Sequence, residues 1–169
     1  MTEQKNEERP ETPFIIGIGA SAGGLEALQQ FFQHMPSNSG LCFVVVQHLS
    51  PDYKSLMADI LGKHTEMQVK QAENEMAIKP DTVYLIPPKN NMTLKDGKLF
   101  LTEFVHGMLN HPIDVFFTSL AEEQKERAIA VVMSGTGSDG TSGVKAVKEH
   151  GGLVIIQNPE TAKFDGMPR

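Results

Sequence analysis

Three polar residues stand just beyond apolar, β-branched runs: Ser21 after "FIIGI", His48 after "LCFVVVQ" and Asp139 in the loop after "AIAVVM". A hydroxyl nucleophile, an imidazole base and a carboxylate that orients the imidazole are the three groups that acyl transfer by an activated serine requires. Ser21 sits in Gly19-Ala20-Ser21-Ala22-Gly23, the G-x-S-x-G spacing of a nucleophile elbow. Small neighbours let a sharp strand-to-helix turn project the hydroxyl, and the helix start offers free N–H groups and a positive dipole end to an oxyanion. The same letters fit two other readings. Gly17-x-Gly19-x-x-Ala22 is close to the dinucleotide fingerprint, and a serine at this point also serves as a plain helix cap.

The second strand separates these readings in part. A dinucleotide site needs an acidic residue about 20 positions on, at the end of that strand, to bind the ribose hydroxyl. No Asp or Glu lies between Glu26 and Asp52, and His48 occupies the place. Asp139, in "SGTGSDGTSG", reads as the orienting carboxylate, as a turn or helix cap, or as part of a phosphate loop that lacks the Lys of G-x-x-x-x-G-K-[ST]. Asp52, Asp59, Asp81, Asp96, Asp114 and Asp165 compete with it. Of these, Asp96 belongs to a hairpin turn, Asp114 to a helix start, and Asp52 lies near His48 in sequence. The other histidines have weaker placements: His34 and His64 near helix ends, His106 and His111 beside an irregular loop, His150 in the last turn of a helix, where a cation is favoured.

The elements that must position these groups alternate. A strand over 14–18 is followed by a helix over 24–34, with Leu25, Leu28, Phe31 and Phe32 on one face, and then by a strand over 41–47 buried on both sides. Leu56, Met57, Ile60 and Leu61 mark a second helix from about Ser55. Short strand-like runs follow at 67–71 and 82–86, Pro87-Pro88 breaks the pattern, and Asp96-Gly97 joins the arms of "MTLKDGKLFLT" as a hairpin. Pro112 fits the first turn of a third helix carrying Ile113, Phe116, Phe117 and Leu120. A strand over 128–133, a loop "GTGSDGTSG", a helix "VKAVKEH" and a last strand over 152–157 complete the pass. The alternation predicts an α/β class: a doubly wound, mostly parallel, Rossmann-like sheet flanked by helices, with one antiparallel β-hairpin. Ligand crevices in such sheets lie beyond the strand carboxyl ends, so the chemistry belongs just after residues 18, 47 and 133. The order Ser…His…Asp, with the elbow after the first strand, excludes the α/β-hydrolase arrangement.

The 169 residues suffice for one core. A net charge of −6 with no basic stripe argues against nucleic acid as partner, and no apolar stretch reaches the ~20 residues of a membrane span. Cys42 alone forms no disulfide framework, no Cys/His set has zinc spacing, and Cys42 opens an apolar run as plain core in a reducing compartment. Residues 1–13 carry alternating charges and two prolines without a signal or transit pattern, and read as a disordered tail on a cytoplasmic protein.

With "GIGASAGGLEAL", "VVVQHLSP", "HPIDVFFTSLA", "MSGTGSDGTSG" and "NPETAKFDGMPR" in view, residues 14–169 resemble the catalytic domain of the CheB-type chemoreceptor glutamate methylesterases. The chain looks most similar to the esterase domains that open hybrid proteins with a CheR-type methyltransferase and sensor domains. The resemblance implies a protein-glutamate methylesterase of chemotaxis-like signalling, with glutamine deamidation as a companion activity. It implies Ser21 as nucleophile, His48 as base, Asp139 as orienting carboxylate, and the backbones of Ala22 and Thr136 as oxyanion donors. The stand-alone receptor esterases of the family usually have Met where Thr136 stands, and the change alters the pocket wall. No cofactor and no metal are implied; the partners are methylated cytoplasmic helices of chemoreceptors. Two departures are expected: regulation without the receiver domain that precedes the stand-alone enzymes, and a family strand and helix that continue beyond Arg169. The rival readings are a non-catalytic docking module and a nucleotide-dependent oxidoreductase.

Overall fold

The computed structural model describes residues 14–20, 24–47, 54–104, 110–133 and 139–157. Along them run β1 (Ile15–Ala20), α1 (Gly24–Gln33), β2 (Cys42–Gln47), α2 (Lys54–Gly62), β3 (Gln68–Gln71), β4 (Met76–Ala77), β5 (Thr82–Leu85), β6 (Asn90–Lys95) and β7 (Lys98–Glu103). There follow α3 (Pro112–Gln124), a 3₁₀ turn at Lys125–Arg127, β8 (Ala128–Val132), α4 (Thr141–Glu149) and β9 (Leu153–Ile156).

Every residue of β1 and β2 is buried, as continuous apolar runs with helices on both faces must be. They lie at the middle of a six-stranded sheet of order β3-β5-β2-β1-β8-β9, in which all neighbours are parallel. One face packs Ile16, Ile18 and Ala20 against Leu28 and Phe32 of α1 and Leu61 of α2. Phe31, Phe32 and Phe43 meet edge to face there, with ring centroids 5.1–5.9 Å apart. The other face packs Ile15, Val44 and Val46 against Ile113, Phe116, Phe117 and Leu120 of α3 and Val147 of α4. Burying each such side chain contributes about 2 kcal/mol. The doubly wound, mostly parallel architecture read from the sequence is the one observed.

The hairpin is also present. Asp96 and Gly97 both have positive φ, 51° and 75°, which a two-residue primed turn between right-twisted strands requires. A two-residue strand, β4, adds to it on the β7 side, making a three-stranded antiparallel sheet β4-β7-β6; two residues were too few to leave a pattern in the sequence. Ser119 Oγ of α3 accepts from the Leu94 N–H at 3.0 Å, tying this small sheet to the helix. The edge strand β9 leaves Leu153, Ile155 and Ile156 about half exposed.

Gly17, inside the strand read from sequence, and Gly19, read as part of the turn beyond it, both belong to β1. They face α3. A Cβ on Gly17 would lie 3.1 Å from both Leu120 and Phe116, and one on Gly19 only 2.7 Å from Ile113 Cγ2. A methyl group at Gly19 forces α3 off the sheet, a change of the overpacking kind that costs about 1–3 kcal/mol. The G-x-G spacing is therefore accounted for by helix packing.

Cys42 is fully buried, and burial pushes its thiol pKa up to about 12. A nearly absent thiolate makes it inert to alkylation. Iodoacetamide at pH 8 should leave the folded protein unlabelled and label it fully in urea; labelling at equal rates in both would place the thiol outside the core. Because the unfolded thiol ionises near the ordinary value of 9.0, unfolding releases a proton above it, and stability should fall with rising pH between 9 and about 12.

Candidate active site

The carboxyl ends of β2, β1 and β8 lie side by side. Ala20 pairs with Gln47 and Gly19 with Val46 and Val132, and the Met133 N–H donates to the Gly19 carbonyl at 3.0 Å. Ala20 immediately precedes Ser21, and Gln47 immediately precedes His48. Ser21, Ala22, His48 and Thr136 themselves lie outside the described residues, as does Asp52.

Asp139 is described, and it is buried, with 7% of its surface exposed. Its carboxylate sits on the first turn of α3: Oδ2 accepts from the Ile113 N–H at 3.0 Å and Oδ1 from the Asp114 N–H at 2.9 Å. Local sequence explains why. α3 begins with Pro112 at its first position, which has no N–H, and its N-cap His111 makes no side-chain cap. The next two N–H groups would be orphaned, and Asp139 takes both from across the fold. The positive end of α3 favours the negative charge there.

The exchange is mutual. Asp114, one turn into α3, accepts with its Oδ1 from the Gly140 N–H at 2.9 Å and the Gly143 N–H at 2.8 Å. Gly140 is the N-cap of α4, with φ 113°, and makes no side-chain cap because it has no side chain. Each carboxylate thus caps the other's helix. The two helices also touch where α4 has no side chain: a Cβ on Gly143 would lie 2.5 Å from Phe117 Cβ and 3.2 Å from Asp114 Cα. Asp114 is the residue that sequence reasoning passed over; the signal for it was the uncapped Gly140 start facing a carboxylate three residues inside another helix.

His111, Asp114 and Asp139 bring three ligand-type atoms within 4.8 Å of one another. Their oxygens are largely committed to backbone donors, as above. His111 Nδ1 lies 3.9 Å from Asp139 Oδ1, too far for a hydrogen bond, and is buried without a hydrogen-bond partner among the described residues. A carboxylate has about four acceptor positions, and the two helix N–H donors take two of those on Asp139. A cavity of about 80 Å³ opens beside the strand ends, lined by Gln47, Ile86, Phe104 and Pro112, and the buried Gln47 Oε1 has no hydrogen-bond partner among the described residues. A larger depression of about 540 Å³ lies by Met35 and His64, at the C-terminal turns of α1 and α2 and away from these ends.

A doubly wound parallel domain with a buried carboxylate at the converging ends of its central strands is thus the class defined by fold and site. The chain belongs to the CheB methylesterase family, whose sequence model matches residues 16–169. It is similar to a solved structure, the CheB methylesterase catalytic domain of Thermotoga maritima, with a TM-score of 0.84 and 34% identity, over 94% of this chain and 86% of that one. Over 160 residues it is 36% identical to the protein-glutamate methylesterase/protein-glutamine glutaminase of Thermotoga maritima, covering 92% of this chain and 46% of the relative. It is 53% identical over 113 residues to an uncharacterized 104.1 kDa protein of Rhodobacter capsulatus, covering 67% of this chain and 12% of that protein. The chain therefore spans about half the length of one of these curated relatives and a small fraction of the other.

Replacing Asp139 by Ala strips the acceptor from two N–H groups of α3. The expected cost is about 2 kcal/mol, seen as a lower urea midpoint at unchanged slope. Asp139→Asn keeps one acceptor oxygen and should lose less. An Asp139→Ala midpoint equal to wild type would show that the first turn of α3 does not depend on this carboxylate.

Proposed function

We propose that this chain is the catalytic domain of a protein-glutamate methylesterase, hydrolysing γ-methyl esters of glutamate on the cytoplasmic helices of chemoreceptors and deamidating glutamine at like positions. The observation that carries the reading is the buried Asp139 carboxylate, held by α3 beside the strand ends that lead into Ser21 and His48. Membership of the CheB methylesterase family and the similarity to the protein-glutamate methylesterase/protein-glutamine glutaminase of Thermotoga maritima support the same chemistry.

In this mechanism Ser21 Oγ attacks the ester carbonyl while His48 takes its proton. Asp139 fixes the imidazole tautomer and stabilises the cation that forms. The oxyanion is held by backbone N–H groups at Ala22 and Thr136, an effect of roughly 3 kcal/mol per donor. The protonated His48 gives its proton to the departing methoxide, methanol leaves, and a glutamyl-enzyme ester remains on Ser21. Water, deprotonated by His48, then attacks this ester and returns free glutamate and the serine hydroxyl. With glutamine the leaving group is ammonia. The scheme uses neither metal nor nucleotide.

No helix among the described residues is long and apolar enough to cross a membrane. The proposed setting is the cytoplasm, where the domain meets membrane-anchored receptors through their helices. The proposed full-length protein also carries a CheR-type methyltransferase and sensor domains; the match to 12% of a 104.1 kDa relative supports only that such a domain occurs within a much longer chain.

Methanol release from methylated receptor membranes tests the reading. Wild type should release methanol, and Ser21→Ala should be slower by a factor of about 10⁴ or more. Equal release by both would overturn the mechanism, and none by either would turn the reading toward a docking module.

A further inference from the structure

We infer that Asp114 is a positioning residue for the reaction: it sets the place of the Asp139 carboxylate, and through it the orientation of His48. The inference rests on the esterase reading for its catalytic consequence, and on the observed hydrogen bonds for its geometry.

Asp139 lies immediately before Gly140, so any shift of the start of α4 moves its backbone directly. That start has no side-chain cap of its own, and Gly140 has the φ of 113° that only glycine adopts without strain. Two of its N–H groups, Gly140 and Gly143, close on one atom, Asp114 Oδ1. Asp114 is in turn fixed through its own N–H, which donates to Asp139 Oδ1. The circuit therefore runs from the α3 backbone to the Asp139 carboxylate, along the chain to the α4 start, and back to α3 through the Asp114 carboxylate. Neither aspartate can move without breaking a bond made by the other. An isolated cap would leave α4 free to slide over the bare face of Gly143; this circuit removes that freedom.

The position of Asp114 makes it unsuited to the chemistry itself. Its Oδ1 is occupied by two backbone donors, and it caps a helix that begins after the site loop. A residue acting only through another has a recognisable energetic signature. Its removal lowers the rate when the residue it positions is present and does nothing further when that residue is gone. A residue that merely stabilises the domain lowers activity by the same factor in both backgrounds.

The test is a double-mutant cycle in the full-length protein, with folding of each variant checked by urea titration. Asp114→Ala should lower kcat for methanol release by about a hundredfold, the scale of an ångström-sized misplacement, with KM little changed. In an Asp139→Ala background the same substitution should cost no further activity. Asp114→Asn keeps an acceptor oxygen for both N–H groups and should recover most of the Asp114→Ala loss, which keeps the test open if the alanine variant folds poorly. A second readout needs no substrate: the downfield proton resonance of an imidazole N–H bonded to a carboxylate. It should be present in wild type and Asp114→Asn, and absent in Asp114→Ala and Asp139→Ala. Equal losses in both backgrounds, an unmoved resonance in Asp114→Ala, or no such resonance in wild type would overturn the inference. Absent methanol release with the expected resonance pattern would instead remove the esterase reading and leave the positioning intact.

Discussion

Helix α3 lies on bare backbone. Gly17 and Gly19 of β1 leave no room between sheet and helix for even one methyl group, and Ile113, Phe116, Phe117 and Leu120 fill the contact. Much else follows from that close approach. It brings the first turn of α3 level with the carboxyl end of β1, because Ile113 sits over Gly19, the residue two before Ser21. The same turn then presents two N–H groups to Asp139, and Gly143 of α4 rests on Phe117 from the other side. A protein core transmits such constraints because it is packed as densely as a crystal.

The alternatives that the sequence left open for Asp139 turn out to be compatible. A helix cap and an orienting carboxylate differ in what they accept from, and the carboxylate has acceptor positions for both. The structure shows the cap, on the first turn of α3. In the proposed mechanism, the group that steadies the imidazolium is thus also one that holds two helices in register. On that proposal stability and reactivity share one charge, and a substitution at Asp139 changes both.

The periodic elements were legible. β2, α1 and the 112–124 helix carry strong apolar patterns, Pro112 marks a helix start by fixing φ, and Asp96-Gly97 marks the hairpin by tolerating positive φ. What escaped was written in residues that lack side chains. Gly19 looks like a turn residue, and Gly17 sits oddly in its strand, because a glycine in a strand interior is unfavourable by itself; only the unseen helix above them explains their presence. Thr141-Ser142-Gly143 read as loop for the same reason, yet they form the first turn of α4, where Gly143 is required by Phe117. The strand-end logic pointed to the loops after β1, β2 and β8, and these strands do end side by side. Asp114 was hidden because its partners, Gly140 and Gly143, are more than twenty residues away and offer only backbone.

The central strand has a consequence for the order of events in the cell. Ile15 of β1 pairs on one side with Cys42, nearby in the chain, and on the other with Ala128, more than a hundred residues downstream. Closing so long a loop is slow, and a parallel sheet offers no local hairpin to shorten it. During synthesis β1 and β2 therefore leave the ribosome well before β8, α4 and the Asp139 carboxylate exist. Until α3 arrives, the glycine face of β1 is an uncovered strip of backbone, so the nascent chain is at its most vulnerable to wrong strand pairing before the residues that complete the site have been translated.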